Sequence, residues 1–300
     1  MSMKTDFSWR SFIVCLITAL SVSVSGCMSW EDGWTSMAAG SSKGDVKGLF
    51  DEAKRIENRA DNGERVKELI AVYKKIAALQ PANYEALSRI GEYSFLYGYI
   101  YANSEEEKSR YYRDTLKYCE QAMYTNENFK KEVAKGKPVW EAASALTANE
   151  MASMFYWYCG VGNYWKDCHN VVSQLVNYSW PARAKLVLER MTEINPDWDG
   201  GNVHMSWGAY YSALPGLLGG DTKKSESCFA KAIAVDPQHI NHLFVRALFL
   251  HTKKGDKKAF QKDLNEVLAK DIRTLNFPYP WAAGYQVKAK RLLAQTESFF

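Results

Sequence analysis

From Asp45 to the end of the chain, apolar residues return every three or four positions, the spacing that lays a single stripe along an α-helix. The pattern predicts helices over 45–75, 83–101, 105–124, 140–158, 165–178, 182–194, 203–214, 223–235, 240–252, 257–269 and 284–295, the first of them broken at Asp61-Asn62-Gly63. Proline is sparse, and no β-branched run alternates with polar residues between turn signals, so no sheet is expected. The expected fold class is all-α.

A repeat lies inside this pattern when the chain is aligned on Pro81, Pro196 and Pro237. Twelve residues before each stand Leu69, Ala184 and Ser225; eight before, Tyr73, Leu188 and Phe229; five before, Ile76, Met191 and Ala232; two before, Leu79, Ile194 and Val235. A small residue that lets two helices approach, followed by a large one that plugs the gap, is similar to the second half of a tetratricopeptide repeat. The first half is echoed by Leu87-x2-Ile90-Gly91 and by His204-x2-Trp207-Gly208-x2-Tyr211. Pro196 and Pro237 are 41 residues apart, against a standard period of about 34, which puts extra residues at Gly200-Gly201 and around 214–221. The stretch 105–178 fits the motif poorly and reads as drifted helical pairs or an insertion. Helical hairpins stacked as a bundle or solenoid are the expected architecture.

Ahead of this domain the pattern changes. Residues 11–24 form an apolar run behind Lys4 and Arg10, short for a membrane span and suited to a signal-peptide core. The run ends in Val24-Ser25-Gly26-Cys27, which resembles the bacterial lipobox. That resemblance implies removal of residues 1–26 and a diacylglycerol on the Cys27 thiol, with a further acyl chain on its amine; several chains hold where one binds only marginally. A plain signal peptide and an uncleaved anchor helix are the alternatives. With Met28 and Ser29 next, and no Asp at the second mature position, the outer membrane is the expected destination. Residues 27–44, rich in Ser and Gly, are expected to be a lipidated tether, and 45–300 the helical domain.

Residues 27–300 carry 36 Lys and Arg against 33 Asp and Glu, a balance that offers nucleic acid no basic patch. The domain is large enough to bury a core without disulfides. Its cysteines are Cys119, Cys159, Cys168 and Cys228. An exported chain permits a Cys159–Cys168 bridge across an expected turn at Gly160-Val161-Gly162; buried free thiols are the favoured reading. Neither cofactor nor metal is expected. The five histidines form no HExxH, GxSxG and the phosphate-binding loop are absent, and Gly160-Val-Gly162 lacks both the third glycine and the preceding strand of a dinucleotide site. The chain is therefore expected not to be an enzyme.

The most distinctive internal stretch is Leu214-Pro215-Gly216-Leu217-Leu218-Gly219-Gly220-Asp221. Pro215 ends a helix, Gly219 and Gly220 permit positive φ, and Asp221 is placed to cap the next helix. Together with the Cys27 lipobox, Ser225-x3-Phe229-x2-Ala232-x4-Pro237 and the aromatic run Phe155-Tyr156-Trp157 with Gly162-x2-Trp165, this turn resembles the TatT family. These are tetratricopeptide lipoproteins associated with tripartite ATP-independent periplasmic (TRAP) transporters. The resemblance covers most of 45–269. It implies an all-α protein with a central cavity or pore, a homotrimer, and pairing with a periplasmic solute-binding protein in uptake of a small apolar or carboxylated solute. A helical-repeat scaffold for envelope assembly or secretion, with protein partners only, is the competing reading.

The chain is rich in aromatics, with 10 Trp and 18 Tyr. Tyr156, Trp157, Tyr164 and Trp165 cluster with Asn163, while Trp207 and Tyr211 lead into the Gly219-Gly220-Asp221 turn. These seven are the candidate solute-binding residues, because sites in helical scaffolds are apolar with a few polar tips. Aromatic stripes at helical spacing are more often core.

Overall fold

Polar caps set the helix boundaries in this chain. The computed structural model describes residues 27–37, 40 and 43–300; the expected signal peptide lies outside them. Asp45, Asn62, Asn83, Ser104 and Asn126 each accept a backbone N–H at the start of α1 (Val46–Glu57), α2 (Gly63–Leu79), α3 (Tyr84–Leu96), α4 (Glu105–Tyr124) and α5 (Glu127–Ala134). Glu105, Glu106 and Glu107 add negative charge to the positive end of α4. There follow α6 (Val139–Ala142), α7 (Met151–Asp167), α8 (Val171–Val176), α9 (Ser179–Ile194), α10 (Trp198–Ala213) and α11 (Thr222–Val235), and then α12 (Ile240–Arg246), α13 (Lys257–Ala269) and α14 (Tyr279–Ala294). No strand occurs among the described residues.

Neighbours in sequence pack as neighbours in space: α1 on α2, α2 on α3, α3 on α4, α10 on α11, α12 on α13, and α13 on α14. Helix α7 bridges the set, lying against α3, α4 and α9. Helices α3 and α12 each run into a wide π turn, Tyr97–Tyr101 and Ala247–His251. The first of these receives the C-terminal helix. Lys288 Nζ donates to Tyr99 O at 2.6 Å, Arg291 donates to Ile100 O, and Gly284 leaves room for Leu96 and Ile100. The two ends of the domain are thereby joined around its interior.

The first three columns of the aligned prolines are buried: Leu69, Ala184, Ser225; Tyr73, Leu188, Phe229; Ile76, Met191, Ala232. At the α10–α11 crossing, Ser225 Oγ donates to Gly208 O at 2.8 Å, and a Cβ on Gly208 would sit 2.8 Å from the Phe229 ring. Small residues there let the backbones approach. In the last column Leu79 and Ile194 are half-buried, and Val235 is 40 % exposed.

The middle of the chain departs from expectation. The predicted helix 140–158 ends at Ala142, passes through short 3-10 turns at Ala143–Ala145 and Ala148–Glu150, and restarts behind a Thr147–Glu150 capping box. Helix α7 then continues through Gly160 and Gly162, where a turn was expected. Glycine weakens a helix, yet a Cβ on Gly160 would press to 3.1 Å on Leu116 and Thr115 of α4, so packing sets the residue. With Cys159 inside this helix and Cys168 at its end, nine residues of rise hold them about 13 Å apart. Both are free thiols. Helix α5 was not predicted at all.

The expected tether is docked over Met28–Ser36. Met28 is buried; its N–H donates to Asn177 Oδ1 at 2.7 Å and its carbonyl accepts from Trp180 Nε1 at 2.9 Å. Trp30 Nε1 and Gly33 N donate to the buried Glu120 at 2.8 and 2.7 Å, and Trp34 stacks on Tyr124. Tryptophan is the reason: Trp30 and Trp34 have apolar area to bury and indole N–H groups to satisfy, which a solvated linker lacks.

The 214–221 turn needs its two glycines for different reasons. Gly219 has φ +97 and open space around its missing side chain. Gly220 is not in the positive-φ region that was expected; instead a Cβ there would lie 1.9 Å from Leu214 O. Asp221 caps α11 by accepting from Lys224 N at 3.0 Å, as predicted. Gly219→Ala is expected to cost about 1 to 2 kcal/mol, the left-handed penalty alone. Gly220→Val should cost about 1 to 3 kcal/mol and displace Leu214. Urea unfolding of both variants checks these losses; a Gly220→Val variant as stable as wild type would show that the turn accommodates a side chain at 220 despite the approach of Leu214 O.

Candidate functional site: an apolar cavity between α7, α10 and α14

Helix periodicity sorts α7 into two faces. Phe155, Tyr156, Cys159, Gly162, Asn163 and Lys166 look into a cavity of about 610 Å³, while Trp157, Gly160 and Tyr164 turn the other way. Helix α10 does the same: Asn202, Met205, Ser206, Ala209 and Ala213 line the cavity and Trp207 and Tyr211 do not. Phe95 and Tyr99 of the α3 region, Val245 and Phe249 of the α12 region, and Trp281 and Tyr285 of α14 complete an aromatic wall. Tyr156 and Trp281 stack at 5.8 Å and 12° across it, and Phe95 lies 5.9 Å from Trp281.

Of the seven predicted site residues, Tyr156, Asn163 and Trp165 line this cavity. Trp157 is fully buried on the opposite face of α7, donating to Glu120 at 2.8 Å. Tyr164 is buried beside Arg113 and His169. Trp207 donates to Thr192 Oγ1 at 2.9 Å and stacks on Tyr211, away from the cavity. Two clusters that read as contiguous in sequence are thus split, because residues one apart on a helix face about 100° apart. Pro215 and Leu218 of the turn reach the cavity; Gly219, Gly220 and Asp221 do not.

Apolar surface predominates in the wall, and its polar groups are set among it. Asn163 Nδ2 donates to Cys159 O at 2.9 Å, and its Oδ1 has no hydrogen-bond partner among the described residues. Asp199 is reached by solvent from the cavity and is a non-glycine residue at positive φ (49°), leading into Gly200 and Gly201 at +68 and +97. Such backbone is costly and persists where surroundings impose it. Asn202 Nδ2 donates to Asp199 Oδ2 at 2.6 Å, Asn241 Nδ2 donates to Asn202 Oδ1 at 2.6 Å, and His239 Nδ1 pairs with Asn241 Oδ1. Desolvation at the cavity wall raises the Asp199 carboxyl above the usual range; nearby His239 opposes this and the Glu92 charge adds to it. Burial likewise holds Tyr156 and Tyr285 neutral.

Sequence reasoning missed Asp199, Asn202, Asn241, Trp281 and Tyr285. The extra glycines at 200–201 were the one available signal, since they mark where the chain leaves helical geometry beside Asp199. The cavity holds no nucleophile–base pair, and no group of three or more metal-binding side chains occurs among the described residues.

An all-α protein of packed helices around an apolar cavity is the class this geometry defines. The family of TRAP transporter T-components matches residues 72–300, and the chain belongs to that family. It is thus a component of a transport system. A search of curated proteins found no match. No helix among the described residues is long and apolar enough to cross a membrane.

Proposed function

We propose that this chain is the periplasm-facing accessory lipoprotein of a TRAP-type uptake system, anchored through Cys27 to the outer membrane. It binds the solute-binding protein, as a monomer or homotrimer, and receives a small, largely apolar solute. The observation that carries the reading is the cavity: about 610 Å³ with a mainly apolar wall and with Asp199, Asn202, Asn241 and Asn163 among its polar points. Asp199 disfavours a carboxylate beside it. An acid would enter with its carboxyl toward Lys166 and Lys253, which are exposed at the rim.

Trp165 tests the reading, because it lines the cavity and also donates from Nε1 to Gln174 O at 3.1 Å. Trp165→Ala is expected to cost about 3 to 5 kcal/mol in urea unfolding. In the fraction still folded, binding of the neutral dye N-phenyl-1-naphthylamine and of the solute-binding protein should both weaken. Stability loss with unchanged affinity for both would reject the cavity as a site.

A further inference from the structure

Helix α8 buries none of its residues, yet its sequence is VVSQLV. Val171, Val172, Leu175, Val176 and the following Tyr178 are 58 to 72 % exposed, and Leu217 in the neighbouring turn is fully exposed. No Asp, Glu, Lys or Arg lies between Asp167 and Arg183. A helix this apolar on its solvent side is covered by something in use.

The N-terminal residues identify what. Cys27 is exposed and is followed directly by Met28, which Asn177 and Trp180 grip at 2.7 and 2.9 Å; Trp30 packs on Trp180 at 4.4 Å. Acyl chains on Cys27 would therefore leave the protein at the C-terminal end of α8, with no slack between them. Val171, Leu175 and Leu218 also line the cavity, so the exposed face and the cavity mouth are continuous. Lys253 at the cavity rim suits anionic lipid headgroups, while Lys166 is paired with Asp167 at 2.9 Å.

We propose that α8 and Leu217-Leu218 lie in the surface of the bilayer that holds Cys27, so that the cavity opens onto lipid. The occupant of this face is the acyl and headgroup region of the membrane, entered by short apolar side chains as in other interfacial helices. The solute then passes between bilayer and cavity without crossing water. This rests on Cys27 as the anchored residue, and the experiment separates the two.

Residues 27–300, with Cys27, Cys159 and Cys228 replaced by alanine, are tethered by an N-terminal hexahistidine to phosphatidylethanolamine–phosphatidylglycerol vesicles containing nickel-chelating lipid. A nitrobenzoxadiazole label is placed on Val172→Cys, Leu217→Cys or, on α14, Val287→Cys. Labels at 172 and 217 should brighten severalfold and shift to the blue on vesicles, while the label at 287 stays unchanged. Labels at 172 and 217 that remain as polar as that at 287 would overturn the proposal. So would a shift that needs only protein concentration, which makes the face a contact between copies, or only the solute-binding protein, which makes it a protein interface. Palmitate-analogue labelling of the native chain and of Cys27→Ser reports the anchor separately: equal labelling would remove the Cys27 reading and leave the vesicle result standing.

Discussion

Glu120→Ala is expected to destabilise the protein by about 3 to 5 kcal/mol and to free its N-terminal segment. Glu120 is fully buried, and no cation pairs with it among the described residues. Its Oε1 accepts from both Trp30 Nε1 and Trp157 Nε1 at 2.8 Å, and Oε2 accepts from Gly33 N at 2.7 Å. Truncation leaves three donors unpaired and a void beside Trp157. Urea unfolding measures the loss, and limited proteolysis before residue 45 measures the release. A loss below about 1 kcal/mol would mean that water replaces the carboxylate freely.

The same residue sets a pH dependence. Burial raises the Glu120 carboxyl from 4.5 to about 7, against the lowering effect of its three donors. The folded protein therefore binds a proton that the unfolded chain has released between these values, and stability falls as pH rises across that window. The contribution is about 3 kcal/mol, fully present below pH 4.5 and gone above 7. Glu120→Gln, which cannot titrate, should flatten this part of the profile. A wild-type curve as flat as the glutamine variant's between pH 5 and 8 would contradict the assignment.

Glu92→Ala should be nearly as damaging, at about 3 to 4 kcal/mol, and should also deform the cavity. Glu92 Oε1 accepts from Tyr156 OH at 3.1 Å and Trp281 Nε1 at 3.0 Å, while Oε2 pairs with Arg89 at 2.9 Å. One buried carboxylate thus joins α3, α7 and α14 and fixes two rings of the cavity wall. Removing it leaves Arg89 with Glu57, 3.9 Å away, as its remaining ion-pair partner. Near-ultraviolet circular dichroism should lose the Tyr156–Trp281 signature, and N-phenyl-1-naphthylamine binding should weaken more than in Arg89→Lys. An unchanged spectrum with lowered stability would confine Glu92 to a structural role.

The amino-acid sequence by itself determined the all-α class, most helix boundaries, the buried positions within 69–76, 184–191 and 225–232, and the cap at Asp221. Each follows from local rules: helical spacing, side chains that accept the first free N–H groups, and the need for a small residue where helices cross. Candidate aromatics could be found the same way, and Tyr156, Asn163 and Trp165 do face the cavity. Only the tertiary structure decided that Trp157 and Tyr164 pack behind α7, that Gly160 lies inside a helix against α4, and that Met28–Ser36 is strapped to Glu120 and Asn177. It also brought Asp199, Asn241 and Trp281 to one wall. A side chain's face depends on what its helix packs against, and Glu92 and Trp281, 189 residues apart, meet only when α14 returns to α3. Charged residues such as Glu92 and Glu120 read as solvent-facing in a linear pattern; burial among indole and phenol donors is what gives them their role.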